Sequence, residues 1–128
     1  MKKLISTKDA PAAIGPYSQG VTATGSLVFV SGQLPIDPKT GAFDGEDMTS
    51  LTRRCILNIE AILNEAGCTL NDVVKTTVYL KDMNDFAEMN AAYAEFFSGS
   101  LPARAAFEVA GLPKGARVEI EAVAVLPK

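Results

Sequence analysis

Two helical apolar patterns separated by a β-branched run constrain this chain more than any other feature. Leu51, Cys55, Ile59, Ile62 and Ala66 recur at spacings of four, four, three and four, which places them on one helical face. Thr49 or Ser50 can cap the start of that helix, and Gly67 stands just past its end. A second helix is predicted from near Asn84 or Asp85, where Asp85 and Glu88 have the spacing of a capping box. Its apolar face is Phe86, Met89, Tyr93, Phe96 and Phe97, and Gly99 follows it. Residues 73–80, between the helices, are β-branched and aromatic and read as a strand. Strands are also predicted at 17–23 and 27–31, split by Gly25-Ser26, and at 103–109 and 116–126. Residues 2–7 are a candidate further strand. Each amphipathic helix needs a sheet face to cover, so the order ββ-α-β-α-ββ implies a two-layer α+β domain.

The 128 residues suit one domain spanning 1–128. A chain of this size buries roughly 65–70% of its unfolded surface, so it needs no disulfide or metal to hold a core. Residues 10–16 carry Pro11 and Pro16 and are expected to form an ordered loop. Residues 35–48 are a turn-rich excursion.

Composition narrows the chemistry. There is no His, so His-based triads, Cys-His pairs and His-ligated metals are excluded. Any proton transfer must use carboxylates, Lys, Tyr, Cys, backbone or water. The net charge of −3 disfavours a protein built to grip a phosphate backbone. Cys55 and Cys68 form no CxxC pair and read as buried free thiols. No signal peptide is recognised at the N-terminus, and no apolar run is long enough to span a bilayer, so a cytoplasmic protein without a membrane partner is expected.

The last two strands alternate in character. Val118, Ile120, Ala122 and Ala124 share one face; Arg117, Glu119 and Glu121, followed by Val123 and Val125, share the other. Arg104, Ala106 and Glu108 share a face opposite Ala105, Phe107 and Val109. Arg104, Glu119 and Glu121 are assigned here to one mixed sheet face. Two readings of that face stand open: a solvated surface with scattered charges, or a seam covered by another subunit with a charged pocket in it.

Several blocks then carry a resemblance. Ala10-Pro-Ala-Ala-Ile-Gly-Pro-Tyr-Ser-Gln-Gly20, Val30-Ser-Gly-Gln-Leu-Pro35, Val74-Lys-Thr-Thr-Val78, Met83-Asn-Asp-Phe86, the stretch from Phe97 to Leu101-Pro-Ala-Arg104, and Val118-Glu-Ile-Glu-Ala122 stand in order along nearly the whole chain. Together they resemble the RidA/YjgF family of reactive enamine/imine deaminases. The resemblance implies a chorismate-mutase-like two-layer sandwich, with a six-stranded mixed sheet and two helices on one face. It implies a homotrimer with sites in the clefts between subunits, and a last strand that lies inside the sheet rather than beside its predecessor. It implies no cofactor and no metal.

The site residues follow from the same resemblance. Arg104 matches the family's carboxylate-binding Arg; a guanidinium fork suits a carboxylate, and the alternative is a surface salt bridge. Glu119 matches the Glu that holds the attacking water; the alternative is a structural carboxylate paired to Arg117 or Lys114. Glu121, on the same face, is ranked as structural. Tyr17 would wall the pocket and donate a hydroxyl, or simply pack. Asn90 interrupts an apolar helix face, so a site role or a tie to a loop is expected. Ser31 and Gly32 would lie close to the ligand, or only end a strand. Lys75 reads as an exposed strand residue. Many relatives carry Cys where this chain has Ala106, and Ala106 with Phe107 would alter the pocket.

The activity implied is hydrolysis of 2-imino acids such as 2-iminopropanoate and 2-iminobutanoate to 2-keto acids and ammonia. The alternatives are a binding module for small 2-keto or carboxylic acids without turnover, an aminoacrylate deaminase of pyrimidine catabolism, and action on RNA. The acidic charge balance weighs against the last.

Overall fold

The computed structural model of the chain describes residues 2–127. Met1 and Lys128, the ends of the expected 1–128 unit, lie outside the described residues. Strand β1 (Lys2–Ile5) pairs antiparallel with β2 (Gly20–Ala23). Strand β3 (Leu27–Gln33) leads through the turn-rich excursion to helix α1 (Met48–Glu65). Strand β4 (Val73–Leu80), helix α2 (Phe86–Phe96), strand β5 (Ala103–Glu108) and strand β6 (Val118–Val125) complete the order.

The main sheet runs β3-β6-β4-β5. Strand β6 is antiparallel to both of its neighbours, while β5 lies parallel to β4. The last strand is therefore internal, as the family resemblance implies. The six strands do not form one continuous ladder, however. Among the described residues, the backbone bridge that joins the β1-β2 pair to the main sheet is made by Ser18, which pairs parallel with Ala103. Its N–H donates to Pro102 O (2.9 Å) and its hydroxyl to Leu101 O (2.6 Å). The predicted strand at 17–23 starts only at Gly20 because Ser18 is engaged in this bridge.

Both helices pack on one face of the main sheet. Met48, Leu51, Cys55, Ile56, Ile59 and Leu63 of α1 meet Val118, Ile120, Ala122 and Ala124 of β6 in one buried cluster. Each fully buried aliphatic side chain contributes about 1.5–3 kcal/mol. The helix starts earlier than the sequence suggested. Asp47, not Thr49 or Ser50, is the N-cap, and its carboxylate accepts from Ser50 N (3.1 Å). Gly67 adopts a positive φ of 87°, the left-handed geometry that ends a helix readily.

Asp85 and Glu88 do not form the predicted capping box. Asp85 receives Arg117 Nη2 at 2.9 Å, and Glu88 accepts from Thr49 N and Thr49 Oγ1 on α1. Both acids are drawn away by partners distant in sequence, so α2 is capped without its own side chains. Among the described residues, no helix is long and apolar enough to cross a membrane.

Candidate active site

Strand pairing decides which side chains can meet. Directly paired residues on neighbouring strands project to the same face. Thr76 of β4 pairs with Arg104 on one side and with Ala122 on the other. Ala122 and Thr76 are buried beneath the helices, so Arg104 projects to the helix-covered face. Tyr79 pairs with Glu119, and Thr77 with Glu121, on the open face. The assignment of Arg104, Glu119 and Glu121 to one mixed face is thus overturned. Arg104 and Glu119 also stand two strands apart and three residues out of register, ~10 Å in each direction. No small ligand can touch both within one chain.

The Arg104 half is closely built. Its Nη1 donates to Asn90 Oδ1 at 2.7 Å. Three rings surround the guanidinium, with Cζ 4.8 Å from the Tyr93 centroid, 5.4 Å from Tyr17 and 5.7 Å from Phe86. Phe86, Asn90 and Tyr93 follow one another at four and three residues, so α2 presents them as one stripe. Tyr17 arrives from the proline loop, where its hydroxyl accepts from Ile14 N (3.4 Å) and its N–H donates to Gly15 O (2.8 Å). Asn90 thus accepts from Arg104, and its Nδ2 lies near Gly15 of the loop, 3.6 Å from where a Cβ there would stand.

Arg104 is no surface salt bridge. Among the described residues, no carboxylate pairs with it. Burial pulls its pKa below the ordinary guanidinium value, opposed by Tyr93 and Tyr17. The one side-chain hydrogen bond given for this half-buried cation among the described residues goes to a neutral amide, so its positive charge is not cancelled by a neighbouring acid.

A family model described as Endoribonuclease L-PSP matches residues 7–126. The chain belongs to this family, the RidA/YjgF proteins. It is 57% identical over 124 residues to a RutC family protein of Pyrococcus horikoshii, covering 97% of this chain and 98% of the relative. It is 53% identical over 128 residues to the 2-iminobutanoate/2-iminopropanoate deaminase of Salmonella typhimurium, covering 98% of each. Escherichia coli TdcF, solved with bound serine, superimposes with a TM-score of 0.76 at 43% identity, covering 98% of this chain and 99% of that one.

The other expected site residues, Ser31, Gly32 and Glu119, lie on β3 and β6. The ladder between these strands is irregular from Val30 to Gln33, and the irregularity brings Gly32 against Glu119. A Cβ built on Gly32 would fall on Glu119 Oε2 and 2.8 Å from its Cδ. Only glycine leaves room for the carboxylate there. Ser31 beside it is exposed. Neither Arg117 nor Lys114 pairs with Glu119; Arg117 is committed to Asp85 and to Glu46 O. Glu121 sits on the same open face, half-buried, and Lys75 is exposed.

Ala106 shares the Arg104 face, paired with Val78, so its small side chain does border that half. Phe107 does not: it meets Tyr79 edge-on at 5.5 Å on the opposite face. Sequence reasoning took Phe86 and Tyr93 for core alone. The signal that could have shown their second role was the helical spacing of both aromatics to Asn90. Among the described residues, no group of three or more His, Cys, Asp or Glu side chains gathers to hold a metal ion.

Proposed function

We propose that the protein hydrolyses reactive 2-imino acids, such as 2-iminopropanoate and 2-iminobutanoate, to 2-keto acids and ammonia. The observation that carries this reading is the caged, carboxylate-free guanidinium of Arg104. Its free N–H edge takes the substrate carboxylate through parallel hydrogen bonds. Tyr17 walls the ligand, and Asn90 holds the fork in place.

The other requirement is a water directed at the imine carbon. Attack gives a tetrahedral carbinolamine, a proton passes to the nitrogen, and ammonia leaves as the carbonyl forms. Glu119, seated on Gly32 with Ser31 beside it, orients that water and relays the proton. Because the two halves stand on opposite faces of one chain, a complete site joins Arg104 of one copy to Glu119 of the partner subunit. A homotrimer with sites in its clefts meets this requirement. The exposed Leu27, Phe29 and Phe107 of the open face are the surface that such an assembly would cover. Relatives named as 2-iminobutanoate/2-iminopropanoate deaminases support the reaction, and serine bound to TdcF supports an amino-acid-sized ligand. The proposed setting is the cytoplasm, which suits two separate buried thiols.

Aminoacrylate, the enamine tautomer of 2-iminopropanoate, falls within the same proposal, since it offers the same carboxylate and gains the electrophilic carbon on tautomerisation; some relatives are named only as RutC family proteins. RNA cleavage, suggested by the family model's description, fits poorly with a net charge of −3. The test is a coupled assay in which an amino acid oxidase generates the imine and semicarbazide traps it. The wild type accelerates imine loss and Arg104→Ala does not. Tight 2-keto acid binding without turnover would instead make the protein a binding module. Equal activity in Arg104→Ala would refute the clamp.

A further inference from the structure

Tyr93 is the largest fully buried side chain, and its hydroxyl and its ring serve different neighbours. The hydroxyl lies 2.7 Å from Thr76 Oγ1, itself fully buried. Thr76 is the strand partner of Arg104, so the hydroxyl is moored to the residue that pairs with Arg104 on the neighbouring strand. The ring stacks on Phe97 with centroids 4.5 Å apart and planes 24° from parallel. Of the three rings around Arg104, it is the nearest to Cζ. A tyrosine that only filled the core would need a partner for its hydroxyl. It would not need a cation on its ring.

A guanidinium binds a carboxylate edge-on, so a site must cover the faces of the plane and leave its N–H edge free. The three methylenes of Arg otherwise allow many orientations, and fixing one on binding costs rotamer entropy. A ring held at its hydroxyl and across its plane provides a fixed surface for the cation to lie on. Burial pushes the Tyr93 hydroxyl pKa up to about 12, so the ring stays neutral at working pH and does not itself cancel the charge.

We propose that Tyr93, moored to Thr76 and stacked on Phe97, is the positioning residue that sets the plane of the Arg104 guanidinium and turns its edge to the ligand carboxylate. This rests on the reading of Arg104 as the carboxylate clamp. Tyr93 touches no reacting atom, so its loss acts on binding and spares the chemical step.

The experiment compares Tyr93→Phe, Tyr93→Leu and Arg104→Lys in the full chain. The dissociation constant for 2-oxobutanoate is measured by titration calorimetry, KM and kcat by the trapping assay, and stability by thermal melting. Tyr93→Phe keeps the ring but strands the Thr76 hydroxyl. Its melting temperature falls while its affinity stays within threefold of wild type. Tyr93→Leu removes the ring, weakens 2-oxobutanoate at least tenfold and raises KM in parallel, with kcat within threefold. Should the leucine variant not fold, Tyr93→Met fills the space without a ring and carries the same expectation. A merely structural tyrosine would lower stability in both variants and leave affinity per folded molecule unmoved, and that result overturns the proposal. If Arg104→Lys weakens binding while Tyr93→Leu or Tyr93→Met does not, only the positioning role falls. If Arg104→Lys binds as well as wild type, the clamp reading falls with it.

Discussion

Asn90→Asp tests the electrostatics of the site with the smallest change of shape. The Asn90 Oδ1 atom accepts from Arg104 Nη1 at 2.7 Å. Replacing the amide by a carboxylate puts a full negative charge at that position, in hydrogen-bond contact with the guanidinium. A ligand carboxylate on the free edge would then lie roughly 5–6 Å from the new charge. At an effective dielectric of about 20, the repulsion is about 3 kcal/mol. Solvent at a half-exposed site reduces this to about 1.5–3 kcal/mol. At about 1.4 kcal/mol per tenfold, 2-oxobutanoate binds roughly ten- to a hundredfold more weakly. Asn90→Ala adds no charge and removes a hydrogen bond that is present with and without ligand, so affinity loses only the cost of ordering the freed Arg104 side chain, about 0.5–1.5 kcal/mol or roughly two- to tenfold. Titration calorimetry with wild type and both variants reads the difference, and thermal melting reads the fold. Asn90→Asp is expected to melt no lower than wild type, because it adds an ion pair. Equal affinity in Asn90→Asp and Asn90→Ala would refute the reasoning, since charge at Arg104 would then not govern binding.

Other perturbations address separate parts of the molecule. Gly32→Ala forces a methyl onto the Glu119 carboxylate, which can swing aside; turnover is expected to fall about a hundredfold or more while 2-oxobutanoate affinity and melting temperature hold, and unchanged turnover would remove Glu119 from the mechanism. Lys114 has a φ of 59° and a ψ of 21°, left-handed geometry that costs a side-chain-bearing residue about 1 kcal/mol; Lys114→Gly should raise the melting temperature by a few degrees. The Asp47 carboxyl is held below its ordinary pKa of 3.8 by the backbone and side chain of Ser50. Its contribution to α1 is therefore complete above that value and lost as pH falls through the lowered one. Asp47→Ala should melt lower than wild type at neutral pH, and the two melting curves should converge in acid below that range; a gap that persists there would contradict the capping role.

Much of the architecture was legible locally. The spacing from Leu51 to Ala66 marks α1, and the β-branched run marks β4 at the bounds observed, Val73–Leu80. Asn90 stood out because an amide on an apolar stripe needs a partner, and it has one. The caps were less legible. Asp85 and Glu88 have capping-box spacing, yet Arg117 and Thr49 claim them from elsewhere in the chain. A motif four residues long carries no information about which distant group will compete for it.

The sequence by itself determined the elements, their order, the alternation within each strand and the residue types available for chemistry without His. Those properties depend on neighbours one to four residues away, where the helical and strand periods operate. Tertiary structure alone decided how one strand's alternation relates to another's. Arg104 and Glu119 each lie on a correctly predicted strand, but β4 stands between β5 and β6 and its register sends them to opposite faces. Shifting a pairing by one residue reverses the face of every side chain on a strand, and no periodicity within a single strand encodes that shift. The same non-local packing placed Gly32 against Glu119 and the ring of Tyr93, a residue that reads as core in the sequence, against Arg104.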